Sequence, residues 1–156
     1  MLTLRTILVP VDFEEASEHA LVAATDLAKT FGAKLVLVHA YELPFYPYPG
    51  GASPVPSTDL PKAIRDAATA GLDTLVARVK GKVPVEAVLK IGPPADEILY
   101  AAKEKNADLI VMGTHGRKGI AHVLLGSVAE KVLRRATVPV LTVHASKVKD
   151  AVAASG

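Results

Sequence analysis

Five short runs rich in leucine and β-branched residues alternate along the chain with longer segments of helical periodicity. These runs are TILVPV from Thr6, KLVLVHA from Lys34, VPVEAVLKI from Val83, DLIVMG from Asp108 and VPVLTV from Val138. Such runs are typical of strands, and a helix between successive strands is the connection that parallel strands need. The sequence therefore predicts an α/β fold, an open parallel five-stranded sheet with helices on both faces. A length of 156 residues suits a single domain.

Apolar residues at spacings of three and four predict a helix between each pair of successive strands. The first helix should end at Gly32 and the second at Gly81, the third should begin after Pro93 and Pro94, and the fourth should begin at Ser127. The stripes expected to be buried are Ala20, Leu21, Ala24, Leu27, Ala28 and Phe31; Ile64, Ala68, Leu72, Leu75 and Val79; Ile98, Leu99 and Ala102; and Val128, Val132 and Leu133.

Two segments do not fit this alternation. Residues 41–59 contain five prolines and two glycines, which predicts a long surface loop, either a plain insertion or a lid. The alanine-rich end predicts a flexible tail over residues 147–156, after a domain over residues 1–146.

The third and fifth strands are predicted at the edges of the sheet. In the third run Val83, Val85, Ala87, Leu89 and Ile91 alternate with more polar positions, as in a strand with one exposed face. The fifth run is apolar and is the last regular element, and an apolar edge favours pairing with another chain. We therefore expect a homodimer through the fifth strand, with Val140, Leu141 and Val143 near the contact.

Composition and charge argue against several classes of protein. A formal net charge of +2 without a dense block of basic residues gives no support for a nucleic acid partner. The sequence contains no cysteine, which excludes disulfides and thiolate chemistry and suits a cytoplasmic protein. No apolar run approaches the roughly 18 residues of a membrane-spanning helix, so no membrane partner is expected.

The segment GTHGRKGIAHVLLGS, residues 113–127, concentrates glycine between the fourth strand and the fourth helix. A flexible connector, a basic patch and a phosphate cradle are the three interpretations. Backbone N–H groups and the positive end of a helix dipole attract anions at this position of an α/β sheet, which favours the cradle. The segment is not a Walker A loop, because Gly119 is followed by Ile120, and VPVDFEEAS lacks the glycines of a dinucleotide fingerprint.

The small residues of this segment each suit a ligand. Gly113 ends the strand with bare backbone for a ribose or base, and Gly116 permits the positive φ of a turn that directs N–H groups inward. Gly126 allows the chain to approach closely, and Ser127 offers an amide and a hydroxyl to phosphate. Ser127 with Glu130 also matches a capping box, which needs no ligand.

The basic and histidine side chains of the same segment are weaker evidence for a phosphate site. Arg117 and Lys118 are either phosphate contacts or solvated loop residues. His115 and His122 are expected to be ordinary loop and helix-entry residues, because no carboxylate partner lies near them in sequence.

Four segments of the chain are distinctive when taken together: ILVPVDFEEASEHAL, LVLVHAYE, IGPPADEIL and GTHGRKGIAHVLLGSVAEKVLRRATVPVLTV. With these segments the chain resembles the universal stress protein family over nearly its whole length, and the last contains the Gly-x2-Gly-x9-Gly-Ser spacing of the branch that binds ATP. The resemblance implies strand order 3-2-1-4-5, an adenine nucleotide alpha hydrolase-like fold. It places the ends of the first and fourth strands beside one cleft, where the winding of the sheet reverses.

The resemblance also implies a role for each matching residue. Asp12 would reach a ribose or a phosphate-bound Mg2+, although an acid that complements the first helix dipole is an equal interpretation. Ala40 would present its backbone to adenine. The remaining implied contacts are Pro10, Val11 and Asp12 at the adenosine, Met112 and Gly113 at the sugar and base, and Gly116, Gly126, Ser127 and Val128 at the phosphates.

The function implied by the resemblance is that of an ATP-binding stress-response regulator or nucleotide-dependent switch, with ADP or AMP as other candidate ligands. Two alternatives stay open: an enzyme that hydrolyses adenine nucleotide slowly, and an interaction module that binds no nucleotide. The sequence assigns no catalytic residue, because no general base can be identified.

Overall fold

The computed structural model describes residues 3–44, 59–114 and 125–144. The strands are β1 (Thr6–Pro10), β2 (Lys34–Tyr41), β3 (Val85–Ile91), β4 (Leu109–Gly113) and β5 (Val140–Val143). The helices are α1 (Glu15–Phe31), α2 (Asp59–Val79), α3 (Pro94–Glu104) and α4 (Ser127–Arg135).

The strands form one parallel sheet in the order β3-β2-β1-β4-β5, which confirms the predicted fold class and strand order. The central strand β1 pairs with β2 on one side and with β4 on the other. Successive connections run outward in opposite directions from this point, so the loops after β1 and β4 diverge. A crevice outside the carboxyl ends of the strands is the usual ligand position of such a sheet.

Alternate side chains of each strand pack on opposite faces of the sheet. In β1, Ile7 and Val9 join the core beneath α1 and α2, whereas Leu8 joins the core beneath α3 and α4. All three side chains are fully buried. The helices therefore cover both faces, as predicted, and the carboxyl end of β1 is fixed from both sides.

Most of the predicted helical stripes face these cores, but Phe31 and Leu133 do not. Phe31 is 48% exposed because it is the last residue of α1, immediately before the left-handed Gly32. Leu133 is 40% exposed because the short helix α4 buries only Ala129 and Val132, and Leu133 lies one position further around the helix. The burial predicted for these two side chains is therefore wrong.

The two predicted edge strands are at the edges of the sheet. In β3, Val85 and Leu89 pack on the α1–α2 side, but Ala87 and Ile91 are exposed because the helix cover does not reach across this outermost strand. In β5, Leu141 is 41% exposed. The predicted homodimer through β5 stays a prediction.

Several sequence predictions fall on residues outside the described ranges. These include most of the loop at 41–59, the glycine-rich segment from His115 to Leu124, and the tail from residue 145. Within the described ranges, no helix combines the length and apolar character needed to cross a membrane.

Candidate functional site

The turn between β1 and α1 fixes Asp12 at the carboxyl edge of the sheet. The Asp12 side chain is exposed, and its Oδ1 accepts the Glu14 N–H at 2.9 Å. Ser17 Oγ accepts the Asp12 N–H at 3.3 Å and donates to the Glu14 carbonyl oxygen at 3.0 Å. This turn holds the carboxylate beside solvent while one of its oxygens has no partner among the described residues.

The residues that precede Asp12 are enclosed by the sheet. Pro10 and Val11 are buried, and the Val11 N–H donates to the Val38 carbonyl oxygen at 2.8 Å. The Val11 side chain is part of the core beneath α1 and α2, so its backbone is the part available to a ligand at this edge. Ala40, near the end of β2, is half-buried and pairs with Lys90 of β3.

The end of β4 packs directly against the first turn of α1. A Cβ atom on Gly113 would lie 2.6 Å from the Ala16 carbonyl carbon and 2.8 Å from its Cβ. Gly113 is thus required for helix packing, on the side where a side chain would project. Met112 is 4% exposed, with its side chain in the core beneath α3 and α4, so only its backbone is available to a sugar or base.

The start of α4 differs from the predicted capping box. Gly126, not Ser127, is the N-cap residue, and among the described residues no side chain makes a capping hydrogen bond there. Ser127 is the first helical residue and is exposed, whereas Glu130 pairs with Arg134 through Nε at 3.0 Å. The capping-box interpretation of Ser127 is therefore wrong.

The backbone at this junction corrects one further expectation. The Gly126 N–H donates to the Thr114 carbonyl oxygen at 2.6 Å, so it is engaged within the protein instead of facing a phosphate. Thr114 is itself buried, and its Oγ1 lies 3.1 Å from Nδ1 of His144. These bonds connect the end of β4 to both α4 and the residue after β5. The amides of Ser127 and Val128 are the next two along the helix, and Val128 is half-buried.

The glycine and arginine between these points lie outside the described residues. Gly116 and Arg117 belong to the segment 115–124, so their predicted contacts stay predictions. The described residues predicted for the site all lie at strand ends or a helix start on the carboxyl side of the sheet: Pro10, Val11, Asp12, Ala40, Met112, Gly113, Gly126, Ser127 and Val128.

Acidic and basic groups are unevenly distributed between the two helix starts. The first turn of α1 contains Glu15 and Glu18, close after Asp12 and Glu14. The first turn of α4 contains only Glu130, whose charge is paired with Arg134. An anion therefore meets less repulsion at the start of α4 than at the start of α1.

The only described ionisable groups with shifted pKa values form a pair on β3 and α3. The hydrogen bond from Lys90 Nζ to Glu104 Oε2, 2.8 Å long, raises the pKa of Lys90 and lowers the pKa of Glu104. Lys90 Nζ also lies 5.0 Å from the centre of the Tyr100 ring. These contacts connect the edge strand to its covering helix.

A metal at this edge would need ligands beyond the described residues. Among the described residues, no group of three or more histidine, aspartate or glutamate side chains could hold a metal ion. The exposed Asp12 carboxylate alone suits Mg2+ that is also held by phosphate oxygens, the usual arrangement for that ion.

Two surface cavities lie away from the carboxyl edge. One, of about 260 Å³, lies between α1 and the end of α2, and it is lined by both acidic and basic side chains. The other surrounds the connection from α2 to β3, at the amino end of that strand. Neither contains a residue predicted for the site.

Sequence patterns missed the residues that hold the β1–α1 turn. Phe13 has φ of 65°, its ring contacts Gly71 of α2, and Ser17 bonds the turn from inside α1. The one available signal was Gly71, because glycine within a helix costs about 1 kcal/mol relative to alanine and suggests a close contact.

The sequence profile of the universal stress protein family matches residues 3–144. A universal stress protein of Methanocaldococcus jannaschii is 35% identical over 144 residues, covering 92% of this chain and 84% of that protein. The structure of UspA from Lactobacillus plantarum has a TM-score of 0.76 at 25% identity, covering 90% of this chain and 97% of that one. A universal stress protein solved in complex with cAMP has a TM-score of 0.67 at 29% identity, covering 92% and 98%.

The family match spans most of the chain, and the observed strand order agrees with it. The chain therefore belongs to the universal stress protein family.

Proposed function

We propose that this protein binds an adenine nucleotide at the carboxyl edge of its sheet and acts as a nucleotide-dependent regulator in a stress response. The observation that carries the proposal is the start of α4, where Ser127 is exposed and makes no capping bond. Unused amides and the positive end of a helix dipole attract phosphate. The position beside β1, where the sheet reverses its winding, is the usual one for a nucleotide.

The comparison with a relative of known ligand supports adenine as the base. The related universal stress protein at 29% identity was solved with cAMP. For this chain we propose ATP, with ADP and AMP as shorter candidates that would use the same adenosine contacts.

We propose the following arrangement of the ligand. The backbone of Pro10, Val11, Ala40, Met112 and Gly113 surrounds the adenosine, because the side chains of Val11 and Met112 are committed to the cores. The phosphates lie at Ser127 and Val128, with Gly116 and Arg117 as further contacts. Gly126 contributes by allowing the chain to approach Thr114, its own N–H being engaged there.

Asp12 is proposed to hold a phosphate-bound Mg2+ or a ribose hydroxyl. Its carboxylate is exposed, one oxygen bonds to the Glu14 N–H, and the other is available for a cation or a hydroxyl. Bound Mg2+ would neutralise phosphate charge beside an otherwise acidic turn.

Two further properties belong to the same proposal. The exposed edge of β5, with Val140, Leu141 and Val143, is proposed as the contact of a homodimer. The cell compartment is proposed to be the cytoplasm, and residues 1–146 are proposed to form the folded domain.

Identification of bound ligand tests the proposal directly. The protein is purified, denatured, and its released small molecules are identified by mass, and then the emptied protein is titrated with ATP, ADP and AMP with and without Mg2+. We expect adenine nucleotide in the extract or saturable binding on titration. Absence of both would contradict the proposal, and sustained ATP turnover above about 1 per second would favour the enzyme instead.

A further inference from the structure

Phe13, which directly follows Asp12, has a backbone conformation that its residue type rarely adopts. Its φ is 65°, and the only other described non-glycine residue with positive φ is Asn106. Asparagine tolerates this region through its short polar side chain, whereas for phenylalanine it costs about 1–2 kcal/mol. The surroundings of Phe13 must therefore hold it there.

Two neighbours hold the Phe13 ring. The centroids of the Phe13 and His39 rings are 4.5 Å apart, with an interplanar angle of 40°. The second neighbour is Gly71, where a Cβ atom would lie 2.7 Å from both Cε1 and Cζ of Phe13. The ring therefore occupies a slot that exists because residue 71 of α2 has no side chain.

His39 is itself fixed to the same turn. Its Nδ1 lies 2.7 Å from the Val11 carbonyl oxygen, and because a carbonyl oxygen only accepts, Nδ1 carries the hydrogen. Strand β2 thus holds both the residue before Asp12 and the ring of the residue after it. The Asp12 carboxylate is bonded to Glu14 on the far side of Phe13, so a shift of the Phe13 backbone has to move the carboxylate.

We propose that Phe13 is a positioning residue: its ring, seated in the slot that Gly71 leaves in α2, sets the Asp12 carboxylate for the bound nucleotide. The proposal depends on the nucleotide site proposed above. It assigns a role in nucleotide affinity to Gly71, which lies in α2 and is not one of the proposed ligand contacts.

The principal variant is Gly71→Ala, which places a methyl group against the ring. Alanine favours the helix itself by about 1 kcal/mol, so loss of binding without loss of folding is expected. Calorimetric titration with ADP and Mg2+ should show affinity weakened roughly 5- to 30-fold relative to wild type. Thr69→Ala is the matched control: it also raises helix propensity in α2, but at an exposed position two residues earlier, and should bind as wild type does.

Removal of the ring provides the second variant. Phe13→Leu shortens the side chain by the atoms that meet the Gly71 slot, so it should also weaken ADP binding. Adding Gly71→Ala to Phe13→Leu should cause no further loss, because the new methyl group no longer meets Cε1 and Cζ. If Gly71→Ala fails to fold, the comparison with Asp12→Asn that follows is made with Phe13→Leu alone.

Repeating these substitutions in a protein that also carries Asp12→Asn shows whether Phe13 acts by positioning Asp12 or only by supporting the fold. In that background Gly71→Ala or Phe13→Leu should change ADP affinity less than about twofold, because the charge that they misplace is absent. If ADP affinity falls equally in both backgrounds, or in neither, Phe13 does not position Asp12. The nucleotide site itself would stand as long as the wild-type protein binds ADP. Failure of wild-type protein to bind ADP or ATP would overturn the proposed function and this inference with it.

Discussion

The turn after β1 and the junction after β4 lie side by side at the carboxyl edge of the sheet, yet they satisfy their backbone differently. In the first, the side chains of Asp12 and Ser17 bond the chain's own amides and carbonyls. In the second, the Gly126 N–H donates to the Thr114 carbonyl oxygen, Thr114 Oγ1 lies beside Nδ1 of His144, and the exposed Ser127 hydroxyl makes no capping bond to a described residue. Neither helix has a side-chain capping bond from its N-cap residue, so the two regions differ in the turn that precedes the helix. Side chains hold the turn before α1, which fixes the Asp12 carboxylate, whereas the exposed start of α4 can receive a ligand.

Charge reinforces this difference. The β1–α1 turn carries acidic side chains and suits a cation, while the start of α4 has its single acidic side chain paired with Arg134. A nucleotide with Mg2+ supplies an anion to one region and a cation to the other. The two regions are therefore complementary halves of the proposed site.

The largest effect is expected from breaking the contact that joins the two regions. Gly113→Val should lower the free energy of unfolding by about 3 kcal/mol, because the new side chain overlaps the backbone of Ala16 in α1. Denaturant unfolding measures the change. Gly81→Ala is the control: its Cβ meets nothing within 4 Å, and only its φ of 86° should cost about 1 kcal/mol. Equal costs for the two variants would contradict the packing role of Gly113.

Periodicity was enough to predict which segments form strands and helices, because burial on one or both faces dictates those repeats. It could not predict that Phe31 and Leu133 are exposed, since a stripe does not show where a helix runs past its sheet. The strand order came from the family resemblance. At the site, the start of α4 at Ser127 was predicted correctly, but its capping role was not, because Gly126 occupies the N-cap position.

The conformation of the β1–α1 turn was the least predictable feature. No local pattern indicates that Phe13 has positive φ, since that conformation depends on the slot at Gly71 and the ring of His39. These contacts join segments far apart in sequence, which single-sequence patterns do not record.

A negative charge at the start of α4 should separate folding from binding. Ser127→Glu is expected to weaken ATP affinity about 10- to 100-fold by repelling phosphate. It should leave stability unchanged or raise it by about 0.3–1 kcal/mol, because an acid complements the helix dipole. Ser127→Ala, which breaks no capping bond, is the control for stability. A Ser127→Glu protein that binds ATP normally would show that the phosphates lie elsewhere.

A smaller effect should follow from neutralising the turn after β1. Asp12→Asn keeps an oxygen that can accept the Glu14 N–H, so thermal unfolding should be nearly unchanged. ATP affinity measured with Mg2+ should fall about tenfold, and the difference between measurements with and without Mg2+ should largely disappear. Undiminished Mg2+ dependence in this variant would assign the ion to other groups.

The smallest effect is expected from the ion pair of Lys90 in β3 with Glu104 in α3, which lies outside the two compared regions. The pKa of Glu104 is lowered from 4.5 by its bond to Lys90, so its stabilising contribution is present above that value and lost as pH falls through the folded-state pKa. The pKa of Lys90 is raised from 10.5, so its contribution is lost as pH rises through the folded-state value. Glu104→Gln should therefore lower stability slightly between these limits, and the difference from wild type should vanish in acid.

Nucleotide affinity is the second measurement on this pair. Because neither side chain belongs to the two compared regions, Glu104→Gln should bind ATP as wild type does. A loss of ATP affinity would extend the site to the β3 edge.

Backbone amide resonances of Ser127 and Val128, followed by NMR while ATP is added, test the central claim most directly. If the start of α4 receives the phosphates, both resonances shift and saturate at the dissociation constant measured by calorimetry, and AMP shifts them less than ATP does. If ATP binds while both resonances stay in place, the phosphate site lies elsewhere and the comparison of the two helix starts fails.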